Sequence, residues 1–351
     1  MPLPSRPQRL GPYEVVAKIA GGGMATIYMG RTRDPKTGVE KVAAIKVIRN
    51  ELRKSGDFVD MFLDEARILS RLSHPNVIQT LEYGADDEHH FIAMELLLGR
   101  TLMDVWDLCA ARGLALRLDL SAFIAARTAD GLHCAHELAG PDGSPLHLIH
   151  RDVNPSNIFL TYDGRVKLFD FGLAKALGRT AKSSAGIVKG KLPYLSPEQV
   201  MQFPLDRRVD VFTLGATLWE MTTMKRLFKR DDDVETVKAV RTGVIPDPRA
   251  IVPHIPATLA AITKKALERS AAHRYDTARD FAQALDAFLA ETAKPAELPQ
   301  VLGAMLDSLF PGDRAKQEGW LRKTRALPTD PRRATLPPPA SLPLTRDDDD
   351  S

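Results

Sequence analysis

The hydrophobic pattern changes period once, near residues 95–99, and no other feature limits the fold of this chain as strongly. Before that point, residues 13–20, 26–33, 41–49, 77–83 and 90–95 are short β-branched runs between turn residues, the pattern of strands. One segment interrupts them. Residues 57–72 carry Phe58, Met61, Phe62, Ile68, Leu69 and Leu72 at helical spacing. After Gly99 the period becomes helical over 102–112, 120–138, 209–223, 234–242, 257–268 and 277–289. Two strand-like pieces, 158–161 and 166–169, flank Tyr162, Asp163 and Gly164 and signal a hairpin. The expectation is an α+β chain: a small five-stranded antiparallel sheet with one helix, then a larger, mainly helical part.

The flanks read differently. Residues 1–12 are rich in Pro and Arg and are expected to be disordered. Residues 290–351 hold a candidate helix at 299–310, then Pro- and Arg-rich sequence ending in Asp347 to Asp350, and are expected to be mostly disordered. The ordered domain is therefore expected over 13–289, with lobes at 13–95 and 99–289.

Composition excludes several classes. The 351 residues are 44% hydrophobic and 26% charged with a net charge of +3, which gives no electrostatic pull toward nucleic acid or an anionic membrane. The longest apolar run, around Phe91 to Leu98, is interrupted by Glu95 and falls far short of a membrane span. The first residues have no apolar secretory core. Cys109 and Cys134 make neither a disulfide framework nor a zinc cluster and read as buried thiols. A reducing cytoplasm is the expected compartment.

Two segments carry chemistry. Residues 149–160 read IHRDVNPSNIFL, and residues 167–175 read KLFDFGLAK. Asp and Asn in such loops can simply cap turns. Together, however, the two segments resemble the catalytic loop and the Mg-binding motif of the protein kinase superfamily, most closely its bacterial serine/threonine branch. The resemblance covers about residues 13–289 and implies a two-lobed fold with ATP in the cleft and one or two Mg²⁺ ions. It places Asp152 as the group that orients and deprotonates the attacking hydroxyl, with Asn157 and Asp170 as metal ligands. It gives Lys46, in the run Ala44-Ile45-Lys46, the α- and β-phosphates of ATP, with Glu65 as its helix partner.

The same resemblance assigns the nucleotide surface. The run Ile19, Ala20, Gly21, Gly22, Gly23, Met24, Ala25, Thr26, Ile27 matches the glycine-rich turn, but alanine stands at 20 and 25 where the family usually has glycine. Alanine is tolerated there if φ stays negative. Met94 matches the gatekeeper, the backbone of Glu95 and Leu97 would bond the base, and Ile19, Ile27, Ala44 and Phe159 would wall it. No Gly-Lys-Ser/Thr follows the glycines, so a P-loop is not expected. Glu198 in YLSPEQ, Arg274 and Asp210 match scaffold positions.

Two departures stand out. Asn154 occupies the place of a usual lysine, and Lys191 follows Gly190 where a threonine is usual. This implies that the positive charge near the γ-phosphate has moved from one partner to the other. The alternative is that Asn154 only shapes its loop and Lys191 faces solvent. Thr180, Ser183 and Ser184, together with Thr335 in the tail, are candidate phosphorylation sites, with Arg151 as the arginine a loop phosphate would meet. The implied partners are proteins with Ser or Thr acceptors; dimerisation is left open. Competing readings are a pseudokinase scaffold and a small-molecule phosphotransferase. A tyrosine-directed enzyme is disfavoured by the loop sequence VNPSN.

Overall fold

A computed structural model describes residues 9–21, 25–33, 37–49, 52, 56–86, 89–171 and 192–326. Within it the chain forms two compact units. Of the described residues, the first comprises those from 9 to 73, Ile78–Arg100, and 310–326; the second comprises His74–Val77 and those within Thr101–Leu309.

The first unit is built on an antiparallel sheet of six strands: β1 (Arg9–Leu10), β2 (Tyr13–Gly21), β3 (Ala25–Arg33), β4 (Glu40–Ile48), β5 (Thr80–Ala85) and β6 (His90–Glu95), in the order β1-β2-β3-β4-β6-β5. The extra strand corrects two expectations, the five-strand count and the disorder of residues 9–12. Leu10 is fully buried with Tyr13, Ile45 and Phe91, and that burial holds the short strand on the sheet edge. Strand alternation gives the sheet two apolar faces. Ala43, Ile45 and Val47 point into the cluster with Leu10 and Phe91. The opposite face carries Val42, Ala44 and Lys46, and there Ile48 and Ile92 pack on Phe62 and Ala66 of helix α1 (Gly56–Leu69).

Residues 77–79 do not extend β5 as expected. Val77 instead bridges Leu168 in the second unit, where Asn76 donates from Nδ2 to the Val166 carbonyl and accepts from the Leu168 N–H. Asn76 thus satisfies a strand edge that would otherwise be left unpaired.

The second unit begins as β7 (Gly99–Thr101) runs into α2 (Leu102–Ala111), which is capped by the reciprocal Thr101–Asp104 box. Helix α3 (Leu118–His136) leads to the hairpin β8 (Ile158–Thr161) and β9 (Val166–Leu168). Then come α4 (Pro197–Val200), α5 (Arg208–Thr223), α6 (Asp233–Thr242), α7 (Pro248–Ile251), α8 (Ala257–Ala266) and α9 (Ala278–Thr292). Helix α5 is buried along nearly its whole length, as its apolar circumference requires, and forms the centre of the unit.

The C-terminal segment corrects another expectation. It carries the anticipated helix, α10 (Leu298–Leu309), and a second one, α11 (Asp313–Ala326). Helix α10 packs in the second unit and α11 in the first. A side chain at Gly164, whose φ is +82°, would run into the Pro299 carbonyl, and one at Gly303 would lie 2.6 Å from the Tyr162 carbonyl. Both glycines are therefore needed for α10 to seat on the β8–β9 turn.

Candidate active site

The catalytic-loop motif lies between α3 and β8. Asp152 is buried, and its carboxylate accepts from Asn157 Nδ2 at 2.9 Å; the same amide reaches the Asp152 carbonyl at 2.8 Å. With its nitrogen committed, Asn157 has its Oδ1 left to offer a cation. Asn154 is also buried. Its Nδ2 donates to the Asp152 carbonyl at 2.9 Å and its Oδ1 accepts from the Ser156 N–H at 2.9 Å, capping the short turn Pro155–Asn157. That geometry favours the loop-shaping alternative for Asn154. Lys191 lies outside the described residues, as do Gly22, Gly23, Met24, the candidate phosphorylation sites and the side chain of Glu65.

Two residues here hold left-handed backbone without being glycine: Arg151 at φ 63° and Asp170 at φ 54°. Such conformations cost roughly 1–3 kcal/mol each and persist where surrounding bonds impose them. At Arg151 the imposing group is Asp210, fully buried in the first turn of α5. Its Oδ2 accepts from the His150 N–H at 2.8 Å and its Oδ1 from the Arg151 N–H at 2.9 Å, while His136 Nε2 meets Oδ2 at 2.8 Å. Burial opposes ionisation of Asp210, but the hydrogen bond and charge of His136 outweigh it and hold the carboxyl below its usual range. A carboxylate is thus fixed behind the loop, pulling two successive amides toward the core.

The His150 ring ties the two motifs together. Its Nε2 bonds the Phe169 carbonyl at 3.1 Å and its Nδ1 meets the Asp152 N–H at 3.3 Å. That pattern requires a neutral ring with the proton on Nε2. Burial supplies the neutrality, lowering the imidazole pKa against the opposing charges of Asp210 and Asp152. Phe171, buried behind Asp170, lies 4.5 Å from the ring. Asp152, Asn157 and the Phe169 carbonyl, next to Asp170, are accordingly joined in one hydrogen-bonded frame. Among the described residues no group of three or more His, Cys, Asp or Glu could cage a metal ion. One amide oxygen and one carboxylate fit Mg²⁺, which keeps waters and binds through few protein oxygens plus substrate phosphates.

The remaining second-unit residues form the frame beside this loop. Arg274 makes a bidentate pair with Glu198, at 2.6 and 3.0 Å, with its guanidinium fully buried. Gln199 completes the N-terminal cap of α4 with Ser196 and donates to the Arg151 carbonyl at 3.0 Å. Phe159 is buried on β8, its ring 6.3 Å from that of Phe169.

The first unit holds the other sequence-predicted residues. Lys46 pairs in register with Ile27 and Ile92, and Ala44 with Met29 and Met94. Register places Ile27, Ala44, Lys46 and Met94 on one face of the sheet, the face on which α1, the helix bearing Glu65, is packed. Ala20 pairs with Ile27 and Gly21 with Thr26. Neither Ala20 nor Ala25 has a positive φ, so alanine is tolerated at both places. Ile19 is buried, and the Glu95 side chain accepts from the Gln79 N–H at 2.9 Å. Leu97 follows β6 and is half-buried.

Sequence reasoning missed His136, Gln199 and the whole of α11. The first two are single polar residues whose meaning depends on what they touch. The third has a docked face of Asp313, Gln317, Trp320 and Thr324, which carries no apolar periodicity to detect.

Comparison with known proteins agrees with this geometry. Residues 13–285 match the family described as protein kinase domain. Over 308 residues the chain is 39% identical to the tyrosine-protein kinase MasK of Myxococcus xanthus, covering 88% of this chain and 47% of that protein. It is 33% identical to the serine/threonine-protein kinase PknL of Mycobacterium tuberculosis, covering 81% of this chain and 67% of PknL. It is 29% identical to PrkC, a serine/threonine-protein kinase of Bacillus subtilis, covering 77% and 39%. The chain thus spans less than half the length of MasK and of PrkC. In fold it resembles the PknI kinase domain of Mycobacterium tuberculosis, with a TM-score of 0.58 at 23% identity, covering 80% of this chain and 97% of that domain. No described helix is long and apolar enough to cross a membrane. The match along most of the chain establishes that this chain belongs to the protein kinase family.

Proposed function

We propose that the chain transfers the γ-phosphoryl group of ATP to serine or threonine hydroxyls of other proteins and of itself. The observation that carries this reading is the frame joining Asp152, Asn157 and the Phe169 carbonyl, next to Asp170, through His150 and Asp210. Asp152 takes the proton as the hydroxyl oxygen bonds to the γ-phosphorus and the bond to the ADP oxygen breaks. Asn157 and Asp170 would hold Mg²⁺, which neutralises charge on the phosphate oxygens. Lys46, paired with Glu65, would hold the α- and β-phosphates beneath the turn from Ala20 to Ala25, including Gly22, Gly23 and Met24. The base would rest against Ile19, Ile27, Ala44, Met94 and Phe159 and bond the backbone of Glu95 and Leu97. Lys191 would supply charge at the γ-phosphate; Asn154 offers that group only its second amide proton, since its other polar atoms serve the loop. Protein acceptors and a cytoplasmic setting belong to the same proposal.

A second specificity has one observation in its favour: MasK, at 39% identity, is named a tyrosine-protein kinase. Labelling with radioactive ATP and Mg²⁺, followed by phosphoamino-acid analysis, separates the two. Label on Ser and Thr that vanishes in Asp152→Asn and Lys46→Met is the expected result. Label on Tyr would establish the second specificity. Label that survives in Asp152→Asn would refute the assigned base.

A further inference from the structure

Helix α11 is polar, yet it is docked. Asp313, Gln317, Trp320 and Thr324 recur at intervals of four, three and four along one helix face, and all four are buried in the first unit. Each holds a different part of the chain. Gln317 grips Gly99 at both backbone atoms: its Oε1 accepts from the Gly99 N–H at 3.1 Å and its Nε2 donates to the Gly99 carbonyl at 3.3 Å. The same Nε2 donates to Asp313 at 2.8 Å, and Asp313 pairs with the guanidinium of Arg100 at 2.9 and 3.0 Å. Arg100 in turn lies 4.8 Å over the ring of Phe310. At the far end, Arg31 donates to the Thr324 carbonyl at 3.3 Å. Trp320 is the large apolar contact of this face, and it enters the cluster of Val16, Ile19, Ala20 and Met29, with Ile27 and Leu96 against it.

These targets have a common location. Gly99 lies two residues beyond Leu97, whose backbone is assigned to the base. Ile19, Ala20 and Ile27 flank the glycine-rich turn, and Leu96 lies between the two backbone groups proposed to bond the base. Hydrogen bonds join α11 to Gly99, Arg100 and Arg31. Trp320 packs on two of the side chains assigned to the base, Ile19 and Ile27, and leaves Ala44 and Met94 outside its cluster.

We propose that α11 positions the nucleotide surface in cis: Gln317 and Trp320 hold the segment after β6 and the strands of the glycine-rich turn in their binding arrangement, so that docking of α11 and binding of Mg-ATP strengthen each other. The proposal rests on the nucleotide-binding reading above. Reciprocity is required, because a docked helix that raises nucleotide affinity must itself be stabilised by nucleotide to the same degree. The docked face has one large apolar group among three polar ones, so local release of α11 is expected to precede unfolding of the sheet unit.

The test uses the full chain. Dissociation constants for Mg-ATP are measured for the unsubstituted protein and for Lys46→Met, Gln317→Ala, Trp320→Ala and Trp320→Phe. Amide exchange across residues 313–326 is followed with and without nucleotide. Gln317→Ala and Trp320→Ala are expected to weaken binding roughly five- to tenfold, within the usual range of coupling between sites. Trp320→Phe should retain most of the affinity, because the indole N–H has no hydrogen-bond partner among the described residues. Mg-ATP should slow exchange in α11 of the unsubstituted protein, a change that a merely structural helix would not show. Unchanged affinity in Gln317→Ala, tighter binding in either alanine variant, or exchange in α11 indifferent to nucleotide overturns the proposal. If the unsubstituted protein binds no Mg-ATP at all, the nucleotide reading fails and takes this inference with it. If it binds and only the α11 effects are missing, the nucleotide reading stands alone.

Discussion

Replacing Arg274 by alanine tests how the frame beside the Asp152 loop is held. The guanidinium is fully buried and satisfies five acceptors: both oxygens of Glu198, at 2.6 and 3.0 Å, and the carbonyls of Glu268, Arg208 and Arg269, at 2.7, 3.0 and 3.0 Å. It also stacks 4.6 Å over Phe212. Removing one member of a buried pair costs about 3–5 kcal/mol, because the remaining charge is stranded. The Glu198 side chain keeps 13% of its surface and can partly rehydrate, which places the loss near the lower bound, about 3 kcal/mol. With a urea m-value of about 3 kcal/mol per molar, the midpoint should fall by about 1 M. Far-UV circular dichroism reads this transition, since the described helices lie mostly in the second unit. Adding Glu198→Ala should recover part of the loss, because the stranded carboxylate goes with it. Lys294→Ala, which breaks an exposed pair with Glu297, should leave the midpoint unmoved. A shift below about 0.3 M for Arg274→Ala, or a double variant as unstable as the sum of the singles, would refute this reasoning.

Two further outcomes are expected. His150 is buried and neutral, with its pKa lowered, so the unfolded chain binds a proton that the folded chain refuses. Its stabilising contribution is therefore present above the ordinary histidine value of about 6.5 and is lost as pH falls from there toward the folded value, at up to about 1.4 kcal/mol per pH unit. His150→Phe should flatten that part of the stability profile; an unchanged acid slope would show that His150 does not cause it. Gly164→Ala and Gly303→Ala should each cost about 1–3 kcal/mol by overpacking the seam between α10 and the β8–β9 turn. Limited proteolysis near residues 295–310 should be faster in both, and wild-type cleavage rates would show that the seam yields without strain.

The catalytic loop was legible because its residue types do not depend on distant contacts. A carboxylate, an amide five residues later and a second carboxylate after a hairpin form a short motif, and Asp152, Asn157 and Asp170 lie in or beside one frame. The helix and strand positions were legible for a similar reason, since their periods follow from which face is buried. Less was legible at Asn154. The sequence could show a missing lysine, but only the fold shows that both sides of the amide are engaged in the loop.

By itself, then, the sequence determined the change from strand to helix near residue 95, the identity of the candidate catalytic groups and the family they belong to. Each is encoded in local periodicity or in short motifs. Tertiary structure alone decided that Leu10 adds a sixth strand, that Val77 leaves β5 and with Asn76 completes the edge of β9, and that His136 and Gln199 serve the loop. It also decided that the polar helix α11 docks against the strands that flank the glycine-rich turn. In each case a polar or solitary residue is satisfied by a partner far away in the chain, as Gln317 is by Gly99, 218 residues before it. Such a pairing leaves no period in the sequence; it exists only once the fold has brought its two ends together.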